Sequence, residues 1–132
     1  MGNLPIAIES FPRRIVPAGE IVFFEGQPGD TAYVILKGEV EVAAQGDSET
    51  RVVNRMKAGE IFGEIALLRP DGKRTATVVS RGGCELLVVD RSFFDEAMGK
   101  ADPLLRYVIE LLCDRLIGLT GRVAHKGFGD EA

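Results

Sequence analysis

From Arg13 to Val89, turns rich in glycine and proline recur so closely that no helix of ordinary length fits between most of them. The turns are Pro17-Ala18-Gly19, Gly26-Gln27-Pro28-Gly29-Asp30, Lys37-Gly38, Lys57-Ala58-Gly59-Glu60 and Arg81-Gly82-Gly83, with a polar loop from Gln45 to Thr50. The runs between them are short and β-prone: Arg13 to Val16, Ile21 to Glu25, Thr31 to Leu36, Glu39 to Ala44, Arg51 to Met56, Thr75 to Ser80 and Glu85 to Val89. Thr31 to Leu36 is apolar on both faces from Ala32 onward, which marks a central strand. Glu39 to Ala44 alternates charged with apolar residues, which marks a strand with one wet face. Seven or eight short strands at this spacing predict a sandwich or jelly roll, not a parallel sheet with crossover helices.

The period changes after Val89. Asp90-Arg91-Ser92 can cap a helix from about Phe93 to Gly99, with Ser92 and Asp95 at capping-box spacing. Asp102-Pro103 starts a second helix with proline at its first position. Leu105, Val108, Ile109, Leu112, Leu116 and Leu119 recur along it at helical spacing, and Gly118 and Gly121 weaken its end. The expected fold class is therefore mainly β with C-terminal helices, a jelly-roll-like antiparallel β-roll. At 132 residues the chain reads as one domain. The roll spans about 12–89, the helices about 90–121 and the tail 122–132, with disorder expected from Ala124 to Ala132.

Composition excludes several classes. The net charge of −4 argues against a nucleic-acid surface, which needs a basic excess. No apolar run approaches membrane-spanning length, and the N-terminus lacks a signal-peptide pattern, so a cytoplasmic chain is expected. Cys84 and Cys113 lie in separate elements with no histidine partner, and read as reduced thiols. His125 is the one histidine, so a multi-histidine metal site of the kind jelly-roll enzymes use has no support. No nucleophile sits beside a plausible base. The expectation is a chain that is not an enzyme, with no metal and no bound cofactor.

The chemistry concentrates in 62–78. Phe62-Gly63-Glu64-Ile65-Ala66-Leu67-Leu68 places a carboxylate on a very short helix, which Pro70 and Asp71-Gly72 stop. Lys73 and Arg74 follow, then Thr75-Ala76-Thr77-Val78 leads into a strand. The first N–H groups of a short helix have no partner inside it and attract an anion. Gly63 lets a ligand approach the backbone. The Arg74 fork can hold two phosphate oxygens. Glu64 repels a phosphate and needs a donor such as a sugar hydroxyl. Together these groups describe a site for a sugar phosphate or a nucleotide. The plain alternative is a structural ion pair of Glu64 with Arg74 across the turn.

Phe-Gly-Glu-Ile-Ala-Leu-Leu, a short turn and Arg-Thr-Ala-Thr-Val resembles the phosphate-binding cassette of the cyclic nucleotide-binding domain family. The resemblance runs from about Ile15 to about Leu119. It implies that Glu64 accepts a hydrogen bond from the ribose 2′-hydroxyl and that Arg74 pairs with the cyclic phosphate. Backbone N–H groups at Ile65, Ala66, Thr75 and Ala76 would add phosphate contacts. Thr75 occurs in readers of cyclic AMP and of cyclic GMP, so it does not choose between them. Phe62 and Met56 would lie near base and sugar, or be plain core. In relatives the last helix closes over the base as a lid, which makes Arg115, Leu112 and Leu116 candidate base contacts. The same helix is a candidate surface for pairing two chains. Relatives carry a longer helical segment before the first strand than Met1 to Phe11 allows, and DNA-binding relatives add a helix-turn-helix that this sequence lacks. The expected role is a non-catalytic sensor for cAMP or cGMP acting on an output protein. The competitors are a ligand-blind interaction module and a sensor domain excised from a larger channel or transcription regulator.

Overall fold

A computed structural model describes residues 11–46, 48–68 and 72–124. The expectations for the N-terminal residues before Phe11, the stop at Pro70-Asp71 and the tail beyond Ala124 lie outside them. The described chain forms β1 (Arg13–Val16), β2 (Ile21–Phe23), β3 (Thr31–Gln45), β4 (Thr50–Lys57), β5 (Ile61–Phe62), α1 (Ile65–Leu68), β6 (Thr77–Asp90), α2 (Arg91–Lys100) and α3 (Pro103–Ala124). It divides into two compact units, the first ending at Arg91 and the second starting at Ser92.

In the first unit all six described strands join one antiparallel sheet, ordered β1-β6-β3-β4, with β2 on β6 and β5 on β3. Thr31 to Leu36 lies inside it, paired with β6, as its two apolar faces require. The count of short strands is lower than expected because two expected turns are not turns. Lys37-Gly38 lies within β3, and Arg81-Gly82-Gly83 within β6. Gly38 pairs with Cys84 and Glu39 with Arg81, so Gly82 and Gly83 are extra residues on β6. Gly38, Gly82 and Gly83 have φ of 87°, 72° and 95°. A side chain at Gly38 would overlap the Gly83 carbonyl. The glycines therefore bend two long paired strands at one point instead of ending them.

The core packs Val16, Val22, Tyr33, Val40, Phe62, Val78, Cys84 and Leu86 around Ile35, which is 0% exposed. Ser80 is buried among them, and its hydroxyl donates to the Val16 carbonyl at 3.0 Å. Cys84 is buried and Cys113 partly so, both as free thiols.

In the second unit, α3 starts where the sequence places it: the Leu104 N–H donates to the Asp102 carboxylate at 2.9 Å, with Pro103 next inside. Helix α2 starts at Arg91, before the expected Ser92 cap, so Ser92 lies within the helix. Leu104, Leu105, Tyr107, Val108, Leu111 and Leu112 are exposed along α3. No helix among the described residues is long and apolar enough to cross a membrane.

Candidate functional site

Gly63 ends β5 and opens α1 with φ at 76°. A Cβ there would lie 2.9 Å from Arg74 Nη1 and 3.2 Å from the Thr31 carbonyl, so glycine alone fits. Helix α1 has four residues, too few to be stable alone, and owes its shape to what surrounds it. Its first turn is tight. Ala66 N–H donates to Gly63 O at 3.1 Å and Leu67 N–H to Glu64 O at 3.0 Å.

The Arg74 backbone is pinned to the loop before β3. Its N–H donates to Gln27 O, and its carbonyl accepts from Gly26 N–H, both at 2.8 Å. The side chain then runs inward and is only 8% exposed. Its guanidinium carbon sits 4.0 Å from the centre of the Phe23 ring. Phe23 in turn lies 5.9 Å from Phe62 and 6.2 Å from Tyr33, so the cation rests on an aromatic cluster tied to the core. Gly29 also lies against it, where a Cβ would overlap the guanidinium. Nη1 reaches the Gly63 carbonyl at 3.5 Å. None of the described ion pairs includes Arg74. Burial pulls its pKa down, and Tyr33 and Asp30 partly offset this. A buried cation that is in none of the described ion pairs is an electrostatic arrangement that an anion would complete.

Arg74 faces a cavity of about 240 Å³. Gly63, Glu64, Ile65 and Ala66 form one wall, and Lys73, Thr75 and Ala76 continue the wall beside Arg74. Met56 and Phe62 line it as well. Phe62 is also buried core, stacked on Tyr33 at 5.4 Å, so pocket wall and core are the same side chain here. Glu64 is half-buried and is in none of the described ion pairs, so a structural pair with Arg74 is not what the fold contains. Lys73 is exposed and belongs to the lining as well. The far wall comes from three adjacent strands. Val42 on β3 stands opposite Asn54 on β4 and Val78 on β6, and all three line the cavity.

Phe23, Gly29, Asn54 and Arg91 were not singled out from the sequence. The signal for Asn54 is an amide in a β-prone run, where asparagine is disfavoured. Arg91 Nε donates to the Ala66 carbonyl at 2.9 Å. Its Nη2 donates to the same oxygen at 2.6 Å and to the Gly29 carbonyl at 3.3 Å. Nothing in the local sequence marks that reach. Leu112, Arg115 and Leu116 lie on α3 in the second unit, with Leu112 and Arg115 exposed and Leu116 partly buried.

A sequence model described as the cyclic nucleotide-binding domain matches residues 13–101. The chain is 40% identical over 96 residues to a cAMP-dependent protein kinase regulatory subunit of Dictyostelium discoideum, covering 70% of this chain and 29% of that protein. It is similar to the EAL enzyme Bd1971 in its cAMP-bound form, with a TM-score of 0.67 and 30% identity, over 86% of this chain and 30% of that one. The cGMP-bound form of the same enzyme gives a TM-score of 0.67 at 28% identity, over 91% and 32%. The Thermus thermophilus catabolite activator protein gives a TM-score of 0.71 at 27% identity, over 90% and 56%. The match to the Dictyostelium subunit thus spans less than a third of that protein's length.

Proposed function

The chain belongs to the cyclic nucleotide-binding domain family, and we propose that it is a sensor module that binds a cyclic purine nucleotide in the cavity beside Arg74 without transforming it. The observation that carries this reading is the buried guanidinium of Arg74, in none of the described ion pairs, opening onto that cavity next to Glu64. Arg74 takes the exocyclic phosphate oxygens with its planar fork. Glu64 accepts from the ribose 2′-hydroxyl, a role its negative charge suits and the phosphate does not. The apolar wall of Val42, Met56 and Val78 suits the face of a base. The relatives bound to cAMP and to cGMP support the ligand class. The finer expectation, that Leu112, Arg115 and Leu116 meet the base when ligand binds, is part of the same proposal. Binding then shifts a population, because contacts that exist in one state only favour that state.

The test is titration calorimetry with cAMP, cGMP and cyclic CMP in parallel, with linear AMP as control. A ligand of about 22 non-hydrogen atoms at about 0.3 kcal/mol each gives roughly −7 kcal/mol, a micromolar Kd. At least one cyclic purine nucleotide is expected to reach that range and to outbind linear AMP. No heat from any of them at millimolar ligand would overturn the proposal. Arg115→Ala in the same titration decides whether the last helix takes part.

A further inference from the structure

Arg74 and α1 supply the two halves of the proposed anion site, and neither half is rigid by itself. Helix α1 is four residues long. The carbonyls at the end of so short a helix have no helical partners. Arg74 rests against Phe23 and Gly29. One side chain reaches both halves. The Arg91 guanidinium takes the Ala66 carbonyl through Nε at 2.9 Å and Nη2 at 2.6 Å, and the Gly29 carbonyl through Nη2 at 3.3 Å. Arg91 is itself fixed, because its N–H donates to the Asp30 carbonyl at 2.7 Å. A planar fork fixes direction as well as distance.

We infer that Arg91 is a positioning residue for phosphate recognition. It holds the backbone of α1 and the Gly29 platform behind Arg74 at one fixed separation, without touching ligand. The inference rests on the proposed function for its ligand, but not for its geometry. A lysine can replace one of these hydrogen bonds but not the fork, and a methionine none of them.

The test uses the full chain, Arg91→Met and Arg91→Lys, with two readouts. The first needs no ligand. In the unliganded protein the Arg74 Hε resonance, shifted by the Phe23 ring, is expected to move toward its free value in Arg91→Met, and amide exchange at Leu67 and Leu68 to quicken. The second uses cAMP and its two phosphorothioate diastereomers, which differ only in which exocyclic oxygen is sulfur. Arg91→Met is expected to weaken cAMP about tenfold, which corresponds to one charged hydrogen bond of about 1.4 kcal/mol. It should also bring the ratio of diastereomer affinities toward one, with Arg91→Lys in between. A general loss of stability would lower both diastereomers alike and leave the ratio unchanged. An unchanged ratio in a folded variant, or an unmoved Arg74 Hε, would overturn the inference; where Arg91→Met fails to fold, Arg91→Lys decides on the same two readouts. A wild-type chain that binds no cyclic nucleotide would instead overturn the proposed function, and the first readout would still decide the role of Arg91.

Discussion

Arg74 sits where a guanidinium is costly unless something negative meets it. It is 8% exposed, and its described contacts are a ring, a glycine and one long bond to a carbonyl. Arg74→Ala is therefore expected to cost about 2–5 kcal/mol of cyclic nucleotide binding, by leaving a buried phosphate unpaired. Glu64→Ala should cost about 1–3 kcal/mol, the range of one charged hydrogen bond. Calorimetry on both variants checks the order; an Arg74→Ala affinity equal to wild type would remove Arg74 from the site. Gly29 gives a sharper test of geometry. Its φ lies outside the left-handed region, so alanine is tolerated by the backbone, yet the added methyl would overlap the guanidinium. Gly29→Ala is expected to keep its unfolding midpoint near wild type and to lose affinity toward the level of Arg74→Ala. Gly63, Glu64 and Arg74 were legible in the sequence because they lie within one short segment whose residue types serve one chemistry. Gly29 and Arg91 were not, because a platform and a brace are defined by what they meet. Their partners stand far away in the chain, 62 residues apart in the case of Arg91 and Gly29.

The elements divide the same way. The helix starts are local, and the Asp102 cap with Pro103 behind it is where the sequence puts it. The long strands are not local. Gly38 and Gly82-Gly83 look like turns when each is read alone, and only their pairing across the sheet makes them a shared bend. Gly38→Ala should then destabilise the fold by at least about 1–3 kcal/mol, since it combines a left-handed φ of 87° with overlap of the Gly83 carbonyl. Urea unfolding measures this. A loss under half a kcal/mol would show that the strands can separate at the bend without cost. In α3, burial raises the pKa of Cys113, and the charges of Asp114 and Glu110 raise it further. The thiolate is the reactive form, so alkylation of Cys113 should be slower than that of a free thiol at pH 8 and should keep accelerating with pH beyond the point where a free thiol levels off. Mass spectrometry after timed iodoacetamide treatment reads this directly.

At the scale of the molecule, a chain of net charge −4 that takes up an anion must do so through local positive charge, not through its overall field. That is the role proposed for Arg74. A ligand that binds the folded chain only should raise its unfolding free energy by about 2.7 kcal/mol at a hundred times Kd. Thermal unfolding at stepped cAMP and cGMP concentrations tests this, and a midpoint indifferent to both at saturation would contradict it. Hydrophobic periodicity and turn chemistry determined the fold class, and one dense motif carried the resemblance from which the family and the expected ligand contacts follow, because each is written in neighbours a few positions apart. Tertiary structure alone decided that Arg74 is buried outside every described ion pair, that Gly29 lies against it and that Arg91 reaches the Ala66 and Gly29 carbonyls together. Those facts depend on which distant backbones meet, and a linear pattern carries no term for a carbonyl 62 residues away.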